Sequence, residues 1–229
     1  MANPEAREII ETPITVLLLG DAGCGKSTFL SCVPFTWIWN EILHSVLYQE
    51  GLFEADQYPR RGLKRVRAQQ AGSGQIDLLR DSDQPFVYDI NFSKKSFTLE
   101  IYDTASPNQH WTTLLPDVVL LAFDISNRET LDGLKRWRGD IIRYFQRGEG
   151  ERIPVMMVGL KRDLRAPGEG VIYPQETYRI AQELRCDRYA ECSAVTGELM
   201  PQTFEDLARL AYMTTTSDGG QSKGGCVVM

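Results

Sequence analysis

Residues 20–27 read Gly20-Asp21-Ala22-Gly23-Cys24-Gly25-Lys26-Ser27, the spacing of glycine, four residues, glycine, lysine and a hydroxyl residue that marks a phosphate-binding loop. Just upstream, residues 14–19 (ITVLLL) form a short apolar run of the kind that is buried on both faces of a sheet. The glycines allow successive backbone N–H groups to turn inward around a polyphosphate. A helix starting near Lys26 aims its positive end at the same anion. In this frame Gly20 to Thr28 line the phosphates, with Lys26 on the outer ones and the Ser27 hydroxyl on a bridging Mg²⁺.

The bulk composition narrows the rest. A chain of 229 residues, 42% of them hydrophobic, suits one α/β domain with appendages. A net charge of −6 argues against a nucleic-acid partner, which demands a basic face. Five cysteines at irregular spacings fit a reducing compartment, and the lone histidines His44 and His110 make no metal cluster. Residues 1–13 are too polar and acidic for a signal peptide and read as an N-terminal extension. The aromatic stretch 32–48 carries Asn40, Glu41 and His44 and falls short of a membrane span. A cytoplasmic monomer is expected.

Further along, helical pattern runs from Lys26 into the 37–48 region and then dissolves; residues 57–75 read as disordered. Two alternating runs, 86–91 and 97–103, flank Ser93, Lys94 and Lys95 as an antiparallel hairpin. A buried strand at 118–125 precedes a helix over 129–147 with Leu131, Leu134, Trp137, Ile141, Ile142 and Phe145 on one face. A strand at 155–159, a helix at 175–184, a strand at 189–192 and a helix at 199–213 follow. Strands alternating with helices imply a mainly parallel sheet, here six-stranded with one antiparallel strand and helices on both faces.

Ligands of such sheets bind at the carboxyl ends of the strands. There, Asp103 can meet a Mg²⁺ through water, although an aspartate at a strand end is more often a cap. Lys161 and Asp163 sit in GLKRDL, where a carboxylate accepts two hydrogen bonds from guanine that adenine lacks, the lysine stem packs on the purine and Leu164 follows. Residues 191–194 (Glu191, Cys192, Ser193, Ala194) supply backbone N–H groups near the guanine carbonyl.

In this order, GDAGCGKS, YDTA, VGLKRDLR, YAECSA and the terminal CVVM resemble the small GTPases of the Ras superfamily, and in detail the Rho branch. The similarity covers residues 14–29 and 86–229. A divergent fungal Rho-like group is similar in LLRDSDQPFVYDI and YDTASP. The resemblance implies a P-loop NTPase fold over 14–213, binding of GTP and GDP with Mg²⁺ through Ser27 and Asp103, and switching through effectors and exchange factors. It also implies hydrolysis assisted by Lys26 and the Ser106 segment.

The departures bear on turnover. Ser106 and Pro107 stand where the family has glycine and the glutamine that orients the attacking water, and proline can neither hold nor polarise that water. Ala22 replaces a second glycine and crowds the same space; Gln109 is the alternative source of an amide. Leu160 replaces an Asn or Thr that ties the loops together, and Val195 replaces a lysine. An insertion at about 31–80 lacks the threonine that senses the γ-phosphate, with Asp81 and Ser82 nearest, and has the length of a disordered segment, a lid or translated intron. Its basic cluster, Arg60, Arg61, Lys64, Arg65 and Arg67, reads as solvated, with acidic lipid the alternative.

Residues 214–229 form a flexible tail ending in Cys226-Val227-Val228-Met229, the pattern that directs prenylation of the cysteine. Only Lys223 backs it with positive charge, so anchoring at the cytoplasmic face of a membrane should be weak. The expected function is a slowly hydrolysing GTP switch; the alternative is a GTPase-fold interaction module that no longer cycles. An ATP-dependent kinase has no use for Lys161, Asp163 or such a tail.

Overall fold

The computed structural model describes residues 8–9, 13–32, 76, 78, 80, 84–92, 95–104, 109–145, 152–168, 170–215 and 227–228. The expectations for 57–75, the basic cluster, Asp81, Ser82, His44, Ser106, Pro107 and Cys226 lie outside these residues.

Three strands with almost no polar residues make the centre: β2 (Ile14–Leu19), β5 (Val118–Asp124) and β6 (Val155–Leu160). Their residues alternate between two cores because successive side chains of a strand point to opposite faces. Val16, Leu18, Leu120 and Val158 meet α1 (Lys26–Ser31) and α5 (Met200–Thr214) on one side. On the other side Leu17, Leu19, Leu121 and Met157 meet α2 (Arg128–Asp132), α3 (Leu134–Phe145) and α4 (Pro174–Glu183). Each such side chain contributes about 1.5–3 kcal/mol through burial.

The sheet runs β3 (Phe86–Phe92), β4 (Lys95–Asp103), β2, β5, β6, β7 (Arg188–Glu191), all parallel except β3, which pairs antiparallel to β4 from Phe86↔Ile101 to Phe92↔Lys95. This is the expected six-stranded mixed α/β sheet. Two two-residue segments extend it: β1 (Glu8–Ile9) pairs with Lys95 and Ser96 in line with β2, and β8 (Val227–Val228) pairs with Arg188 and Tyr189. The tail therefore returns to the sheet edge at these two residues, where the sequence predicts flexible chain.

Two further expectations change. The helix read over 129–147 divides at Gly133 into α2, capped by Asn127 through a 3.0 Å bond from the Glu129 N–H, and α3. Ile142 is 49% exposed, because the buried stripe of α3 runs Leu134, Arg138, Ile141, Phe145 and a residue one step from Ile141 is rotated about 100° away. Arg138 holds its place in that stripe by donating from Nε to the Leu184 carbonyl at 2.7 Å.

Candidate functional site

The parallel order brings the carboxyl ends of β2, β4, β5, β6 and β7 to one edge of the sheet, and the predicted residues converge there. Between β2 and α1, Gly20 passes so close to β5 that a Cβ would stand 2.3 Å from the Ala122 carbonyl oxygen. Gly25 takes φ 106, a conformation side chains resist, at the start of α1. Lys26 is 3% exposed, and its ammonium donates to the carbonyls of Gly20 at 2.9 Å and Asp21 at 3.0 Å. It therefore sits inside the ring of loop backbone, where an oxyanion would be gathered. Ala22 and Gly23 lie exposed at the rim and Thr28 is half-buried.

The Ser27 hydroxyl donates to Asp103 Oδ2 at 2.8 Å, joining residues 76 positions apart. A hydroxyl beside a buried carboxylate is the hard-oxygen pair that Mg²⁺ uses when phosphates complete its shell, so these residues fit the ion. Asp103 is pinned from the far side as well. The Gln84 amide donates to its carbonyl at 3.0 Å and accepts from its N–H at 3.1 Å, continuing the β3–β4 ladder with a side chain.

Lys161, with φ 58, reaches across the loops: Nζ donates to the Gly23 carbonyl at 2.7 Å and pairs with Asp124 Oδ2 at 2.7 Å. Its stem lies against Gly25, where a Cβ would come within 3.3 Å of Cε. Asp124, 6% exposed, is fixed in turn by the Ser126 N–H at 2.8 Å and hydroxyl at 2.6 Å. Burying this carboxylate is tolerable because both of its oxygens are satisfied. Sequence reasoning missed Asp124 and Gln84; a lone carboxylate closing an otherwise apolar strand was the available signal for the first.

Asp163 is exposed and accepts from the Ser193 hydroxyl at 2.5 Å, a bond that orients its carboxylate. Leu164, next in sequence, is 52% exposed, and Val195 is exposed as well. Within residues 191–194, two of the backbone N–H groups are engaged inside the fold. The N–H groups of Cys192 and Ser193 donate to the Gly159 and Glu198 carbonyls at 2.9 Å each, and Arg165 holds Glu191 through two 2.6 Å bonds. Ser193 contributes its hydroxyl, and Ala194 is buried. The buried thiols are inert here: burial pushes the Cys24 thiol up despite Lys26 nearby, and Cys192 up to about 12.

The family model described as the Ras family matches residues 83–213, more than half of the chain. The Ras-like GTP-binding protein RHO1 of Entamoeba histolytica is 31% identical over 127 residues, which span 52% of this chain and 56% of that protein. The GTP-binding proteins RHO2 and RHO1 of Saccharomyces cerevisiae are 25% and 26% identical over 158 and 155 residues, spanning 63% and 60% of this chain and 78% and 71% of those proteins. The phosphate loop lies before the stretch the family model matches, and the β2–β4 pairing and the Ser27–Asp103 bond join it to that stretch.

Proposed function

Because the chain belongs to the Ras family, as a divergent Rho-like member, we propose that it is a guanine-nucleotide switch in signal transduction that binds GTP and GDP with Mg²⁺ and hydrolyses GTP slowly. The observation that carries this reading is the convergence of three strand ends: the Ser27–Asp103 oxygen pair, Lys26 within its ring of carbonyls, and Lys161 tying that ring to the loop that presents Asp163. Lys26 would neutralise the phosphates, Asp163 would read the guanine edge, and the loop N–H groups would fix the polyphosphate. Ser27 and Asp103 would hold Mg²⁺, which supplies positive charge to phosphate oxygens.

Slow turnover follows from Pro107, which offers no amide to hold a water, and from Ala22 at the rim of the loop. The protein as purified should carry a guanine nucleotide, chiefly GTP, identified by chromatography after denaturation. Combining Ser106→Gly, Pro107→Gln and Ala22→Gly should raise the single-turnover hydrolysis rate at least ~10-fold, about 1.4 kcal/mol of barrier. A wild type that already matched the restored variant would sink the slow-switch reading. Bound nucleotide with no hydrolysis in either protein would identify an interaction module that does not cycle.

Prenylation of Cys226 would add a single lipid and a weak, reversible hold on the cytoplasmic face of a membrane. Cys226→Ser should move the protein wholly to the soluble fraction of a cell lysate, and an unprenylated wild type would count against the anchor.

A further inference from the structure

Asp21 faces two ways. Its carbonyl accepts from Lys26 Nζ at 3.0 Å, while its carboxylate leaves the phosphate loop for the start of α3. There Oδ1 accepts from the Trp137 indole N–H at 2.8 Å and from Arg136 Nη2 at 2.6 Å, contacts across 116 and 115 positions of sequence. Oδ2 fills the space over Gly133 so closely that a Cβ there would stand 2.5 Å from it. Trp137 continues the chain of contact, with its ring 6.0 Å from that of Trp111 in the short helical turn Gln109–Thr113. The indole bond is partly buried, whereas Arg136 is 67% exposed and its ion pair is screened by salt. The indole therefore makes the greater share of the hold.

We propose that Asp21, Gly133 and Trp137, assisted by Arg136, form a latch that clamps the phosphate loop to α3 and so sets how fast nucleotide leaves. The inference rests on the nucleotide-binding reading given above. A loop whose Asp21 carboxylate is held keeps the Asp21 carbonyl, and with it Lys26, in place. A released carboxylate lets the same stretch of backbone swing. These are positioning residues, acting on the phosphates through Lys26.

The test uses the full chain loaded with a fluorescent GDP analogue. Trp137→Phe keeps an aromatic side chain but removes the indole N–H together with its five-membered ring, so Gly133→Ala, which leaves Trp137 whole, is its partner variant. Gly133→Ala adds one methyl where Oδ2 lies, at a helical φ of −61° that favours alanine. Each should speed release about fivefold, the scale of one lost hydrogen bond. The thermal stability of Gly133→Ala should not fall, which separates loss of the latch from general loosening of the fold. The double variant should release no faster than either single one, since both break the same contact. In the ¹H–¹⁵N spectrum, Asp21→Ala should shift the indole resonance that Trp137→Phe abolishes.

A loaded wild type with unchanged release in both variants, or effects that multiply in the double variant, would overturn the latch and leave the nucleotide reading standing. An unmoved indole resonance would overturn the contact itself. A wild type that takes up no guanine nucleotide would overturn the functional reading and the release claim together.

Discussion

Replacing Asp163 by asparagine is expected to weaken GTP binding by ~2–4 kcal/mol, roughly thirtyfold to a thousandfold, while ATP binding stays as weak as before. The carboxylate presents two acceptors to the paired donors of guanine; an amide turns one of them into a donor facing a donor. The structure sharpens the expectation, because the Ser193 hydroxyl donates to Oδ1 at 2.5 Å and holds the carboxylate in one orientation, while each oxygen keeps a lone pair for the base. Ser193→Ala should produce a smaller loss of the same kind, by freeing the carboxylate to rotate. Equilibrium titration with fluorescent GTP and ATP analogues reads both variants. Equal affinity of the wild type for the two nucleotides would end the guanine assignment.

The largest loss of stability is expected from Phe204→Ala. Phe204 of α5 stacks on Phe29 of α1 with ring centres 4.9 Å apart and planes 12° from parallel, and Tyr88 of β3 leans on it at 6.3 Å. All three are buried, and the Tyr88 hydroxyl donates to the Leu30 carbonyl at 3.1 Å. Removing the ring empties the joint between α1, α5 and the hairpin, at a cost of ~3–5 kcal/mol. A domain has only about 5–15 kcal/mol in hand. Because α1 begins at Lys26, nucleotide affinity should fall along with stability. Urea unfolding measures the first and titration the second; a loss below about 1 kcal/mol would show that the site collapses around the missing ring. Phe204→Leu, which refills most of the space, should recover much of the loss.

The strands and the phosphate loop were legible in sequence because their signals are local. Residues 14–19, 118–124 and 155–160 are apolar on both faces and short, which describes a central parallel strand and little else. The hairpin announced itself by alternation in 86–91 and 97–103, and GDAGCGKS by three glycines before a lysine. Lys26, Ser27, Asp103, Lys161 and Asp163 could be named in advance because each lies at the carboxyl end of a strand or in the segment that follows it, and the parallel order sends all those ends to one edge.

Other features belong to tertiary contact alone. The break at Gly133 has no clear local signal, since a helix tolerates one glycine; it becomes meaningful when Asp21 occupies the space above it. Ile141 and Ile142 look equally apolar in sequence, and the sheet beneath α3 decides which is buried. Asp124 reads as a strand end until Lys161 is seen 2.7 Å away, and Gln84 reads as linker until its amide meets both backbone groups of Asp103. What the sequence by itself determined was the periodic and turn-forming pattern that makes an α/β sheet with a phosphate loop. Which distant carboxylate, amide or indole completes each buried polar group was decided only by folding, because such a bond depends on the position of a partner that can lie more than a hundred residues away, as Trp137 does from Asp21 by 116 positions, and no local pattern encodes that position.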